Sequence, residues 1–227
     1  MVIIGAVANA AAILVGGIIG SFMKKGMPKK YGDSIIYALS LFTFGIGMMF
    51  FLKSKEIMVA IISLILGTLL GEWIDIEKRL ENFGKAIQSR MKGSYGNFSE
   101  GFVTSSLIFC VGSMAIMGAM QSGLSGNHEV LFAKTALDAM TSIIFASAMG
   151  IGVAFSSAIV LIYEGGLSLA AAAVAPYLSN AVVDEMTAVG GILLMGLSIS
   201  ILDIKKIKVG NMLPAIFLPI IIMLFIR

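Results

Sequence analysis

Long apolar runs separated by short charged turns dominate this chain. Val2 to Met23 carries no charge, and the same chemistry returns at Ser34 to Leu52, Ile57 to Leu70, Gly101 to Met120 and Thr135 to Tyr163. Runs of this kind are matched to a hydrocarbon layer, not to the core of a small soluble domain. In lipid a lone helix satisfies its own backbone and a lone strand does not. The pattern therefore predicts an all-α polytopic transmembrane bundle of about seven to eight spans, at 3–22, 34–52, 57–74, 101–121, 136–149, 151–164, 186–203 and 211–226, with 166–183 unassigned.

Composition supports one membrane domain over all 227 residues. The chain is 58% hydrophobic and only 13% charged, with mean hydropathy +0.99, where soluble domains carry roughly 25% charged residues. The net charge of +3 does not point to nucleic acid, because the basic residues sit at the ends of apolar runs, where they anchor to lipid headgroups. The first apolar segment lacks a basic leader and a cleavage site, so it is expected to remain as a span. The single cysteine, Cys110, lies inside an apolar run and supports no disulfide framework.

Lysine placement orients the bundle. With the N-terminus outside, Lys24, Lys25, Lys29, Lys30, Lys78, Arg79, Lys85, Arg90, Lys92, Lys205, Lys206 and Lys208 fall inside, 12 of the 16 basic residues. The positive-inside rule favours that placement in a cytoplasmic membrane. Between the third and fourth spans, 75–92 reads as an amphipathic cytoplasmic helix, with Ile76, Leu80, Phe83, Ile87 and Met91 on one face.

One stretch fits poorly. The 29 residues from Thr135 to Tyr163 reach roughly 43 Å as a helix, too long for one upright span and short for two. Gly150 and Gly152 mark its middle as a helix break or hinge. A re-entrant hairpin, two short tilted spans and one kinked crossing all satisfy the pattern; the first two put Lys134 and Glu164 on the same side. There is also an internal echo. Ser34 to Leu70 and Ala181 to Ile226 each contain span, basic turn and span, facing opposite ways, the plan of inverted repeats.

Ionisable residues inside spans are costly and therefore informative. Lys134, Asp138 and Ser142 are spaced i, i+4, i+8, with Thr135 and Thr141 beside them. A carboxylate with hydroxyls offers hard oxygen ligands for a proton or Na⁺, while the plainer reading is an anchoring salt bridge at the membrane edge. Asn9, midway in the first span, needs a partner on another helix. Glu72, Glu185 and Asn211 join Asn9, Lys134, Asp138, Thr141 and Ser142 as candidate ion- or solute-binding residues; the plainer reading of Glu72 is an interfacial carboxylate facing lysines, and Glu164 reads as interfacial too. Asp184 and Glu185 fit dipole pairing at the start of a span, and Asn211 with Pro214 fits helix-start punctuation. Gly16 with Gly20 and Gly67 with Gly71 are spaced for close helix crossing. Cys110, Met114 and Met117 form a soft-ligand stripe suited to Cu(I), against which stands methionine's use as apolar filler. His128, beside Glu129 in an outer loop, reads as solvated.

There is no Walker lysine motif, H-E-x-x-H, G-x-S-x-G or CxxC, so neither an enzyme nor a cofactor is expected. Five segments carry a resemblance: GAVANAAAILVGGIIG, LGTLLGEWIDIEKRLE, FCVGSMAIMGAM, AKTALDAMTSIIFASAMGIGV and EMTAVGGILLMGLSISILDIKKIKVGNMLPA. Together they resemble the prokaryotic membrane-protein family called domain of unknown function 554, over nearly the whole chain. The resemblance implies a multi-span inner-membrane protein. It also implies that Gly5, Asn9, Gly71, Glu72, Lys134, Asp138, Ser142, Glu185, Gly191, Asn211 and Pro214 stand at the family's motif positions. Glu164 departs, since the family pattern has Gln before that Gly, which argues against Glu164 as a charge carrier. The expectation from residues and resemblance together is a small, oligomeric secondary transporter or channel-like permease for an ion or small solute. The rival is a scaffold or sensor that recruits a cytoplasmic partner through 75–92.

Overall fold

Each apolar run becomes a helix, because hydrocarbon leaves the backbone no other partner than itself. The computed structural model describes residues 2–24, 29–79, 82 and 98–226. Nine α-helices occupy them: α1 Ile4–Lys24, α2 Lys29–Phe51, α3 Ile57–Ile74, α4 Phe98–Cys110, α5 Ser113–Ser125, α6 Glu129–Met149, α7 Gly152–Val174, α8 Asn180–Ile201 and α9 Leu218–Ile226. Short 3-10 helices at Ala175–Tyr177 and Val209–Ile216 join the last three, and no strand occurs among the described residues. Six of these helices are long and apolar enough to cross a membrane, or seven when α4 and α5 count as one bent span; Val209–Phe225 is a shorter apolar segment. Most of the expected helix at 75–92 lies outside the described residues.

The stretch at 135–163 belongs to two full-length helices meeting at Gly150. Both were expected too short: α6 begins at Glu129 and α7 continues to Val174, taking in the first half of the unassigned 166–183. The link is tight because Gly150 has φ of 93°, a left-handed value that glycine adopts without strain. A Cβ on Gly152 would collide with the Phe98 carbonyl, so α4 seals this turn by lying on it. The bent span lies elsewhere, between α4 and α5, whose axes differ by 59°. Gly112, at φ of 129°, makes that bend. It also separates Cys110 on α4 from Met114 and Met117 on α5, so the soft-ligand stripe does not lie on one helical face.

Helix directions follow from contacts along their lengths. Gly5 lies against Leu131 and Gly20 against Ile143 and Ala146, so α1 and α6 run parallel. Gly17 lies against Ala154, and α7 returns antiparallel to both. Lys78, Arg79, Lys205, Lys206 and Lys208 share one end of the bundle with Gly150, while Lys53 and Lys55 lie at the other, as the lysine pattern requires. The faces of α2 and α3 turned away from the bundle carry Leu41, Phe42, Met49, Met58, Leu69 and Trp73, all exposed and all apolar. That is a surface for lipid.

Glycine allows the closest crossings. At α2 and α8, Gly47 and Gly191 abut, each one's absent side chain replaced by the other's carbonyl. At α3, Gly67 and Gly71 lie on the Ala215 and Asn211 backbone. Both crossings are centred on positions 144 apart, 47 with 191 and 69 with 213. The antiparallel pair α1 and α7, through Gly17 with Ala154 and Asn9 with Glu164, is centred on positions 146 apart. Three antiparallel crossings thus join residues at nearly equal separations along the chain, 144, 144 and 146. Thr43 and Thr187 are also 144 residues apart, and each hydroxyl donates to the carbonyl four residues earlier, Leu39 and Val183.

Candidate functional site: a buried ion cluster across three helices

Parallel α1 and α6, with α7 packed antiparallel against α1, bring four polar side chains together. Asn9 is the sixth of 21 residues in α1, Asp138 the tenth of 21 in α6, and Glu164 the thirteenth of 23 in α7. Lys134 stands one turn before Asp138. Asn9 and Glu164 are 0% exposed, Lys134 6% and Asp138 8%. Lys134 Nζ is paired with Asp138 Oδ2 and lies 3.3 Å from Glu164 Oε1. Asn9 Nδ2 donates to Asp138 Oδ2 at 3.0 Å and to both Glu164 oxygens at 3.1 Å. The Phe109 ring lies 6.0 Å from Lys134 Nζ, close enough for a cation–π contribution.

Two features make this more than an anchor. Among the described residues, one ammonium faces two carboxylates, so the ionised cluster carries one uncompensated negative charge at mid-span, where charge is expensive. In addition, Asn9 Oδ1 is buried without a hydrogen-bond partner among the described residues. A buried acceptor left unmade costs about 1–3 kcal/mol.

The other expected residues separate from this cluster. Ser142 is buried, but its hydroxyl donates to the Ala139 carbonyl of its own helix and packs beneath Gly16. Thr141 likewise donates to Leu137. Glu72 is exposed at the end of α3 and pairs with Lys208 at 3.2 Å, away from the cluster. Glu164 is a correction: it is fully buried, not interfacial, because α7 extends ten residues past it. The run Gly165 to Ala173 is as apolar as the segment before it, and that continuity was the signal available in the sequence.

Glu185 and Asn211 also depart from expectation. Helix α8 starts at Asn180 with Ser179 as its cap, which places Glu185 beyond the first turn. Its carboxylate serves another helix, accepting from Ser54 Oγ at 2.7 Å, Lys55 N at 2.7 Å and Glu56 N at 2.9 Å. Glu56 caps α3 without a side-chain bond of its own, so an acid from α8 supplies the anion that this N-terminus favours. Asp184 beside it lies 3.6 Å from Lys55. Substituting E185A is expected to destabilise the fold by about 2–3 kcal/mol by orphaning three donors, read as a lower thermal midpoint, with E185Q between it and the parent. Asn211 caps no helix of its own: Oδ1 accepts from Glu77 N at 2.7 Å, and Gly210 N donates back to Glu77 Oε2 at 2.7 Å. Pro214 sits inside the 3-10 helix instead of opening a span.

Comparison with known proteins agrees with this architecture. Residues 4–224 match the family described as "Protein of unknown function (DUF554)". The chain belongs to that family. It is 34% identical over 227 residues to the "Uncharacterized membrane protein YdfK" of Bacillus subtilis (strain 168), covering 98% of this chain and 96% of that one. It is also 33% identical over 221 residues to the "Uncharacterized protein YqgA" of Escherichia coli (strain K12), covering 95% and 94%. No solved structure matches. The chain is thus a DUF554 membrane protein, and its chemistry has to be argued from its own residues.

Proposed function

We propose that this DUF554 protein is a small secondary transporter or channel-like permease for an ion or small solute, not an enzyme. It works as a homo-oligomer in the cytoplasmic membrane with its N-terminus outside. The observation that carries this reading is the Asn9, Lys134, Asp138 and Glu164 cluster, charged, buried at mid-span and drawn from three helices. A helix needing only an anchor places its salt bridge at an interface, where Glu72 and Lys208 sit. Intramembrane acids held by partners on separate helices are the usual furniture of ion and solute pathways. The near-equal separations of the three antiparallel crossings support an inverted repeat as part of this reading, because two oppositely oriented halves give a route to alternating access around a shared central site.

The test is flux. Purified protein in liposomes loaded with a pH-sensitive dye is challenged with H⁺, Na⁺ and K⁺ gradients. The parent is expected to give a signal above empty liposomes, and D138N, which leaves Lys134 and Glu164 as a balanced pair, to fall to the empty-liposome level while remaining folded. Equal signals from parent and D138N would make the cluster a structural ion pair and defeat the reading.

A further inference from the structure

We infer that the buried cluster is the binding site of one monovalent alkali cation, held by Asp138, Glu164 and Asn9. This deepens the transport reading and rests on it for its biological role, though the binding itself can be measured without transport.

Charge comes first. Lys134 balances one of the two carboxylates and leaves the other's charge open at a depth where an unbalanced ion is unfavourable. A single monovalent cation brings the cluster to neutrality. A divalent ion overshoots by one charge, an anion adds to the imbalance, and a neutral solute leaves it untouched. A proton on either carboxylate also balances the charge, and the set of oxygen donors is what favours an alkali ion over it.

Donor chemistry comes second. Lys134 engages one oxygen from each carboxylate, Asp138 Oδ2 and Glu164 Oε1. Asp138 Oδ1 and Glu164 Oε2 are not engaged by Lys134, and among the described residues Glu164 Oε2 accepts only from the Asn9 amide, at 3.1 Å. With Asn9 Oδ1 they form a set of hard oxygen donors, which suits alkali ions and not the softer transition metals. The groups facing the cluster from the helices packed on it are Cys110 and the Phe109 ring of α4 and Tyr163 of α7. None of them supplies a further compensating cation.

The third observation is independent of the acids. Asn9 is 0% exposed, its amide nitrogen reaches both carboxylates, and its oxygen is left without a partner. A half-turn of that amide presents Oδ1 to the same place. A bound cation would satisfy the oxygen and take over the role of the displaced N–H, so the orphaned atom and the unbalanced charge have one common remedy. The three ligands lie on α1, α6 and α7, so the ion also ties those helices together.

Thermal unfolding in detergent, with chloride salts at constant ionic strength, tests the site. Replacing choline by Na⁺ at a hundredfold excess over Kd is expected to raise the parent's midpoint by about 5–10 °C. E164Q, whose remaining Lys134 and Asp138 are already balanced, is expected to fold and to lose the response. E72Q, at the exposed end of α3, is expected to keep it. Equal midpoints in LiCl, NaCl, KCl and choline chloride would overturn the proposal, as would a larger rise with Ca²⁺ than with any alkali ion or a full response in E164Q. Equilibrium binding of radioactive Na⁺ to the parent needs no variant. One ion per chain is expected, and none even at millimolar Na⁺ overturns it. Cation binding without dye flux would leave this site standing and remove the transport reading, whereas flux without any cation effect would do the reverse.

Discussion

Replacing Lys134 with methionine is expected to lower stability by about 3–5 kcal/mol, the cost of leaving a buried charge without its partner. Methionine matches the lysine stem in length and apolar character, so packing against Phe109 survives and the loss isolates the ammonium. Asp138 and Glu164 are then two carboxylates within reach of one Asn9 amide, with no cation between them. Over 227 residues such a loss corresponds to a midpoint lower by about 6–20 °C. The informative comparison is the triple variant K134M/D138N/E164Q, which removes every charge while keeping the shape. It is expected to recover most of the loss, because replacing a whole buried ionic group by neutral isosteres is often neutral or stabilising. If the triple variant is as unstable as K134M, the lysine matters through packing and the charge argument fails.

That contrast also explains what could be read from residue order alone. Apolar length is a property of a single segment, and it sufficed for the membrane class and the all-helical bundle. Asn9 needed a partner on another helix, and Asp138 and Lys134 were visible as a helical pair, but nothing in their spacing says which third helix meets them. Glu164 became legible only when α7 proved to run on through Gly165 and Gly166, because a charge at a helix end and one at its middle have the same sequence neighbours on one side. Glu185 and Asn211 failed differently. Each stands near the start of an apolar run and looks like local punctuation, yet each bonds backbone more than 120 residues away, at Lys55 and Glu77. Local capping rules describe which groups need partners, not which helix provides them.

Substituting Gly71 with alanine is expected to destabilise the bundle end by about 1–3 kcal/mol or more, a large effect for one methyl group. A Cβ at Gly71 would strike the Asn211 carbonyl, which is backbone and cannot rotate away. To make room, α3 and the 3-10 helix must separate. That movement loosens the Glu77 to Asn211 and Gly210 to Glu77 bonds and the Gly67 crossing one turn along. Gly45 supplies the control from the same sequence chemistry: it is exposed in α2, and a Cβ there meets nothing within 4 Å. G45A is therefore expected to stabilise by about 0.5–1 kcal/mol through helix propensity. The two alanine variants should shift the thermal midpoint in opposite directions. The Na⁺ response should survive in both, because Asn9, Lys134, Asp138 and Glu164 lie on α1, α6 and α7. A G71A midpoint at or above that of the parent would mean that α3 and the Asn211 segment are not in contact in the membrane, which would remove one of the three antiparallel crossings that support the proposal of an inverted repeat.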